Sequence, residues 1–314
     1  MVLAIVTGLV WLLGGSGARA ESYFVVEAHS GRVLVAHDAE RKRPVASLTK
    51  IGTAIVVLDW AKITGTDLGF LAVVPSSAGS LGGANPMGLR PGDRISLRNA
   101  LYSALLGSDN VAAQTLAHHV GFAMQRQRGR QGDPVKAFVA EMNLLARGLG
   151  MRRTKFANPH GMDRPRERGH STAADMAKLG IYAMRHPGFA FFVKQKSRSI
   201  SFYSAGVERS FTVANTNRLL GQMDINGMKT GMTSLAGQCL AVSSERTPIV
   251  RKLPDGRSRM TKRLLISVVL GSPDRFARTQ GLVADGWARY EQWRTAGSPV
   301  QNQAREMMVV PNPR

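Results

Sequence analysis

The sequence predicts an α+β protein: an antiparallel sheet flanked by helices, with an inserted, mostly helical subdomain. Three observations carry this. β-type runs bracket the chain, at 22–28 and 32–37 near one end and at 198–203, 238–244 and 264–270 toward the other. Segments with apolar residues at helical spacing fill the stretch between them. Hydrophobic residues make up 44% of the chain, ample for a core, and the single cysteine, Cys239, excludes an intrachain disulfide framework.

Taken in order, SYFVVEA (22–28) and RVLVAH (32–37) flank His29-Ser30-Gly31 and read as a hairpin. A core helix follows over 48–63, with Leu48, Ile51, Ile55 and Leu58 on one face and Ser47 at its first turn. Residues 75–96 are rich in Gly, Ser and Pro and read as loop, with short strands around 87–89. Helices are expected over 97–107 and 110–121, broken by Ser108-Asp109-Asn110. A basic stretch at 125–133 precedes a third helix over 135–149, and together these form the helical block. The chain then turns at 156–161, runs through a charged loop at 162–171 and enters a helix at Thr172 that reaches Arg185. The last third is strand-rich, with Cys239 as a buried apolar filler, and closes on an amphipathic helix over 274–293. Between the last two strand runs, 246–263 holds seven Lys and Arg and reads as an exposed hairpin loop or as a contact surface for an anionic polymer or membrane.

The chain opens on an apolar run over its first thirteen residues, which leads through Gly14-Gly15-Ser16-Gly17 to Ala18-Arg19-Ala20. Residues 1–20 therefore read as a secretory signal peptide, although no Lys or Arg precedes Trp11; an uncleaved anchor is the rival reading. The expected organisation is a leader at 1–20, one catalytic domain at 21–297 and a short tail at 298–314, exported to the periplasm or cell envelope. Lys and Arg number 42 against 21 Asp and Glu. Such an excess points to an anionic wall or membrane surface, or to a solvated basic exterior. Nucleic acid is excluded as a partner by the export signal and the lack of a recognisable module. No metal is expected, since His118 and His119 are adjacent on a helix and point apart, and no His/Cys spacing suits zinc.

Three short words carry the chemistry: Ser47-Leu48-Thr49-Lys50, Ser108-Asp109-Asn110 and Lys229-Thr230-Gly231. A serine hydroxyl needs a base to become a nucleophile. Lys50 lies one helical turn after Ser47 on the same face, and a lysine serves as base once burial or a neighbouring cation, such as Lys229, lowers its pKa. Ser108 is placed to shuttle a proton to a leaving amine, Asn110 to bind a substrate amide, and Asp109 to support the turn. Lys229 and Thr230 suit a terminal carboxylate, while Gly231 allows an extended peptide to approach the strand. The N–H groups of Ser47 and Met232 are the candidate oxyanion hole.

This trio is the signature shared by penicillin-binding proteins and class A β-lactamases. Over roughly residues 22–290 the chain resembles the D-alanyl-D-alanine carboxypeptidases, the low-molecular-mass penicillin-binding proteins. The likeness rests on Ala46-Ser47-Leu48-Thr49-Lys50, on FANPHGM (156–162) with STAADMA (171–177), on NTNRLL (215–220) and on AGQCL (236–240). The resemblance implies the serine β-lactamase/transpeptidase fold and no cofactor. It implies removal of the terminal D-Ala of a peptidoglycan stem peptide through an acyl-enzyme on Ser47, with β-lactam antibiotics acylating the same serine. Departures are the Asp at the centre of Ser-Asp-Asn, the lack of an E-x-x-L-N segment (Glu141-Met142-Asn143 is a poor imitation), and Met232 after the Lys-Thr-Gly. The β-rich second domain and amphipathic anchor of many relatives are also not seen. A D,D-endopeptidase, a β-lactamase and a non-catalytic wall-binding homologue stay open as alternatives. His160 reads as a residue that fixes its loop.

Overall fold

The computed structural model describes residues 21–164 and 168–312. The leader expected at 1–20 lies outside the described residues. The chain opens with the expected hairpin of β1 (Ser22–Glu27) and β2 (Val33–His37), in which Val25 faces Val35. A 3-10 turn (Ala46–Leu48) then leads into α1 (Thr49–Thr64). Every residue of α1 from Thr49 to Leu58 is buried, wider than the one-sided stripe that Leu48, Ile51, Ile55 and Leu58 suggest. A helix apolar all round belongs in the middle of a core, and α1 stands there.

Next come β3 (Leu71–Val73), β4 (Arg94–Ser96), α2 (Leu97–Leu105), α3 (Asn110–Gln127) and α4 (Pro134–Gly148). Strands expected around 87–89 do not form, because the Asn85 carboxamide takes both the N–H and the carbonyl of Leu89, at 3.0 and 2.9 Å. Helix α3 runs six residues past the expected stop at Gly121. That glycine is a packing site rather than a breaker: a Cβ there would lie 2.0 Å from the Pro134 carbonyl oxygen at the start of α4.

The remainder comprises α5 (Ala173–Arg185), α6 (Pro187–Val193), β5 (Ser197–Ser204), β6 (Val207–Ala214), β7 (Ile225–Thr233), β8 (Gly237–Lys252), β9 (Ser258–Ser272), α7 (Arg275–Thr295) and α8 (Gln303–Glu306). The strands form two antiparallel sheets rather than the one expected, ordered β2-β1-β9-β8-β7 and β3-β4-β5-β6. Pairing of Arg94 with Tyr203 draws the β5–β6 hairpin onto β4. In the larger sheet β7 is an edge strand.

Alternation along β1 shows how that sheet is covered. Phe24 and Val26 point into the large core around α1, whereas Val25 points into a second cluster with Leu240, Val242, Leu265, Val269, Val283 and Trp287 beneath α7. The sheet is thus sandwiched between α7 on one face and α5 on the other, and α1 carries its first turn to the open edge beside β7. The segment read as a tail docks on the first hairpin. Met308 donates its N–H to the Gly31 carbonyl at 2.7 Å, and Glu306 pairs with Arg32.

Gly121→Ala gains helix propensity but meets fixed backbone on α4, so packing decides the sign. We expect a net loss of about 3 kcal/mol in urea denaturation; an unchanged or raised stability would show that α3 and α4 separate freely.

Candidate active site

The three words of the sequence meet at the open edge of β7. The 3-10 turn before α1 brings residues three apart into near eclipse. Lys50 Nζ accordingly lies 2.9 Å from Ser47 Oγ. It also donates to Asn110 Oδ1 at 2.8 Å and to the His160 carbonyl at 2.9 Å. Those three acceptors complete the donor capacity of an ammonium group.

Each acceptor is held by its own element. Asn110 is the first residue of α3, capped by Asp109, whose buried carboxylate accepts from Ala112 N–H at 3.0 Å and Ser103 Oγ at 2.9 Å. Asp109 thus supports the turn, as expected. The Asn110 amide nitrogen donates to the Gly82 carbonyl at 3.2 Å and contacts Met162 Sδ at 3.0 Å. With both ends engaged, the first role of this carboxamide is to hold the base, ahead of any contact with a substrate amide. The His160 carbonyl is aimed by its turn. Asn158 accepts from Gly161 N–H at 2.7 Å and donates to the Met162 carbonyl at 2.9 Å, and Thr53 ties down the Pro159 carbonyl at 2.6 Å.

The electrostatics follow from burial. Lys50 is fully buried, and desolvation pushes its pKa down to about 7, with the Asp109 carboxylate pulling modestly the other way. The lowering therefore comes from burial. The neighbouring-cation effect anticipated from Lys229 runs in reverse. Lys229 is held well below the ordinary lysine range by its own burial first, then by Lys50 and Arg275. Burial, with Lys50 and Arg164 nearby, drives His160 down to about 3. Its imidazole accepts the Met162 N–H at 3.2 Å and so braces the loop.

Ser108 occupies the break between α2 and α3, half-buried, at a left-handed φ of 62°. Ala46, beside the nucleophile, is also left-handed at 48°. Strained non-glycine residues flank the reacting groups on both sides of the cleft, as is common where geometry is held for chemistry.

On β7, Lys229 Nζ turns back to the Thr230 carbonyl at 3.0 Å, and Thr230 Oγ1 meets Thr216 Oγ1 at 2.6 Å. Gly231 lies against the nucleophile turn so closely that a Cβ would sit 3.1 Å from Ser47 N. The Met232 side chain is 66% exposed at the mouth. The structure thus brings Ser47, Lys50, Asn110, Lys229, Thr230, Gly231 and Met232 to one edge, with Ser108 at the adjoining break.

Two further residues were not singled out in the sequence. Thr216, within Asn215-Thr216-Asn217, joins Thr230 to the Leu106 carbonyl. Arg275, at the start of α7, donates to the Gly231 carbonyl at 2.9 Å while its Nε is buried without a partner. An arginine in a helix's first turn opposes the helix dipole. That anomaly was the available signal.

Two outcomes test this geometry. With Lys50 as base, only the neutral amine accepts the serine proton, so acylation of Ser47 by a β-lactam should rise with pH and be half-maximal near 7; a profile flat through that pH would remove Lys50 from the role. Asn110→Ala frees the amine to wander, and stopped-flow acylation should slow ~100-fold.

Comparison with known proteins gives the family and the fold. The family profile described as D-alanyl-D-alanine carboxypeptidase (peptidase S11) matches residues 15–251. The chain is 31% identical to the D-alanyl-D-alanine carboxypeptidase DacC of Escherichia coli over 87% of its own length and 62% of that protein's. It is also 31% identical to a D-alanyl-D-alanine endopeptidase of Pseudomonas aeruginosa, over 73% of this chain and 68% of that one. Against the carboxypeptidases DacC of E. coli and DacA of Haemophilus influenzae it spans 62% and 66% of the relative's length. Among solved structures, the Streptomyces K15 DD-transpeptidase superposes with a TM-score of 0.71 at 26% identity, covering 85% of this chain and 96% of that one. The fold is therefore the penicillin-binding, β-lactamase-like α+β fold, and the chain belongs to the peptidase S11 family of D-alanyl-D-alanine carboxypeptidases.

Proposed function

We propose that this chain is a serine D-alanyl-D-alanine carboxypeptidase that trims peptidoglycan stem peptides and is acylated by β-lactams. The observation that carries the reading is the 2.9 Å contact between Ser47 Oγ and a fully buried lysine whose pKa lies near 7. An extended peptide ending in D-Ala-D-Ala adds to the free edge of β7. Its terminal carboxylate meets Lys229 and Thr230, with Arg275 supplying a permanent cation behind the strand. Neutral Lys50 takes the proton of Ser47 as Oγ attacks the penultimate carbonyl. The N–H groups of Ser47 and Met232 receive the oxyanion. Ser108 passes the proton to the leaving D-Ala amine, and water then releases the acyl group.

Glu141 speaks against a β-lactamase. Its carboxylate is engaged by Arg128 past the C-terminal end of α3, whereas Asn110 is the first residue of that helix. Among the described residues no E-x-x-L-N glutamate is placed to speed deacylation, so a penicillin adduct persists. A D,D-endopeptidase is the second reading, favoured by the P. aeruginosa endopeptidase at equal identity. Export to the periplasm or envelope, with a leader removed after Ala20, completes the proposal. The basic excess adds an anionic wall or membrane surface as partner. Among the described residues no helix is long and apolar enough to cross a membrane.

Intact mass after incubation with benzylpenicillin should show one long-lived adduct on the wild type and none on Ser47→Ala. The wild type should release D-Ala from pentapeptide faster than it cleaves a cross-linked dimer. Absence of the adduct with the drug intact refutes an acylating enzyme, and the reverse substrate order makes the endopeptidase the correct reading.

A further inference from the structure

The segment read as a hairpin loop is a two-stranded ribbon. Strands β8 and β9 stay paired to Lys252 and Ser258, with Leu253 and Arg257 closing the turn. Their neighbours stop earlier: β7 begins opposite Ser244, and β1 ends opposite Leu265. Beyond Arg246 and Arg263 the ribbon has no flanking strand among the described residues. A free ribbon of this kind is marginal in water.

Its side chains make it less stable still. Arg251 is paired directly with Arg259, and like charges facing across a ladder repel. On the opposite face Val250 is paired with Met260, and the two are 58% and 63% exposed. Three of the seven cations are matched by carboxylates: Arg246 by Asp224, Arg257 by Asp255 and Arg263 by Glu291. Arg251, Lys252, Arg259 and Lys262 have no ion pair among the described residues. An apolar pair close to the tip with unmatched cations on both faces has the chemistry of a headgroup boundary, where aliphatic groups enter the acyl region and cations stay at phosphate level. A soluble polyanion would answer the charge but gain nothing from Val250 and Met260.

We infer that the tip of the β8–β9 ribbon is a docking keel for an anionic phospholipid bilayer. This places the attachment on the catalytic domain itself, at the end of the sheet remote from Lys229. None of its residues touches the site, so docking and acylation are separable.

Sedimentation of the full chain with phosphatidylcholine vesicles, with and without phosphatidylglycerol, tests the assignment. Binding is expected only with phosphatidylglycerol and should weaken as salt rises. Joint reversal at the four unmatched cations (Arg251→Glu, Lys252→Glu, Arg259→Glu, Lys262→Glu) should lower partitioning ~100-fold or more. Val250→Ser with Met260→Ser should lower it by ~10-fold, the loss of two partly inserted apolar side chains. Both variants should keep the penicillin acylation rate of the wild type, which shows that they are folded. Phosphatidylglycerol binding that neither variant changes overturns the keel, as does no binding at all. Loss with the charge variant alone, matched by equal binding to a soluble wall polyphosphate, overturns the bilayer in favour of that polymer.

Discussion

Everything at the cleft depends on one buried nitrogen. Lys50 Nζ sits inside the core with three oxygen neighbours, drawn from the nucleophile turn, the start of α3 and the Asn158–Met162 turn. A charged ammonium so enclosed is costly unless an anion repays the desolvation. The nearest carboxylate, Asp109, is itself turned onto Ser103 and the Ala112 N–H. The amine therefore loses its proton easily, and the free lone pair has Ser47 Oγ within reach. The three elements converge because each gives Lys50 an acceptor, and displacing any one changes both the position and the basicity of the group.

The sequence disclosed the reacting groups better than their supports. Ser47 and Lys50 were legible because a 3-10 or α turn forces residues three apart onto one face, whatever surrounds them. The Asp109 cap was legible for the same local reason. What stayed hidden depends on contacts far apart in the chain. That Asn110 would hold Lys50 follows from α3 packing beside α1, sixty residues away. That burial rather than Lys229 sets the Lys50 pKa follows from the whole core closing around α1. Arg275 entered from α7, and only its awkward position against the helix dipole hinted at a role.

The fold shows the same division. Helix and strand types followed the apolar period closely, since period reflects which face is buried. The errors came where a side chain or a neighbour overrode local pattern. Asn85 occupied the backbone groups of Leu89, Gly121 served contact rather than termination, and β4 captured β5 into a second sheet. The outer edge of β7 has no partner strand among the described residues. An unpaired edge is ordinarily an aggregation hazard. Here it lies beside Ser47, so the feature that a fold would normally suppress is the one that the proposed strand-wise binding of an extended peptide needs.

Charge ties the two ends of the sheet together. Inside, burial lowers Lys50 from 10.5 to about 7 and holds Lys229 low as well. Between those Lys50 values the unfolded chain binds more protons than the folded one, so its burial costs stability increasingly as pH falls through that window. At neutral pH the cleft is thus a strained region that the surrounding core must sustain. Outside, the four unmatched cations of the ribbon impose a repulsion that no carboxylate among the described residues relieves. Lys50 on α1 and Lys229 on β7 are excluded from water, whereas the ribbon's cations stand in solvent where β8 and β9 outrun the sheet. Because the interior pair is shielded by burial and the ribbon lies in solvent, salt acts on the second and barely on the first. The buried and the exposed groups of positive charge are therefore physically independent, although β8 pairs with the strand that carries Lys229.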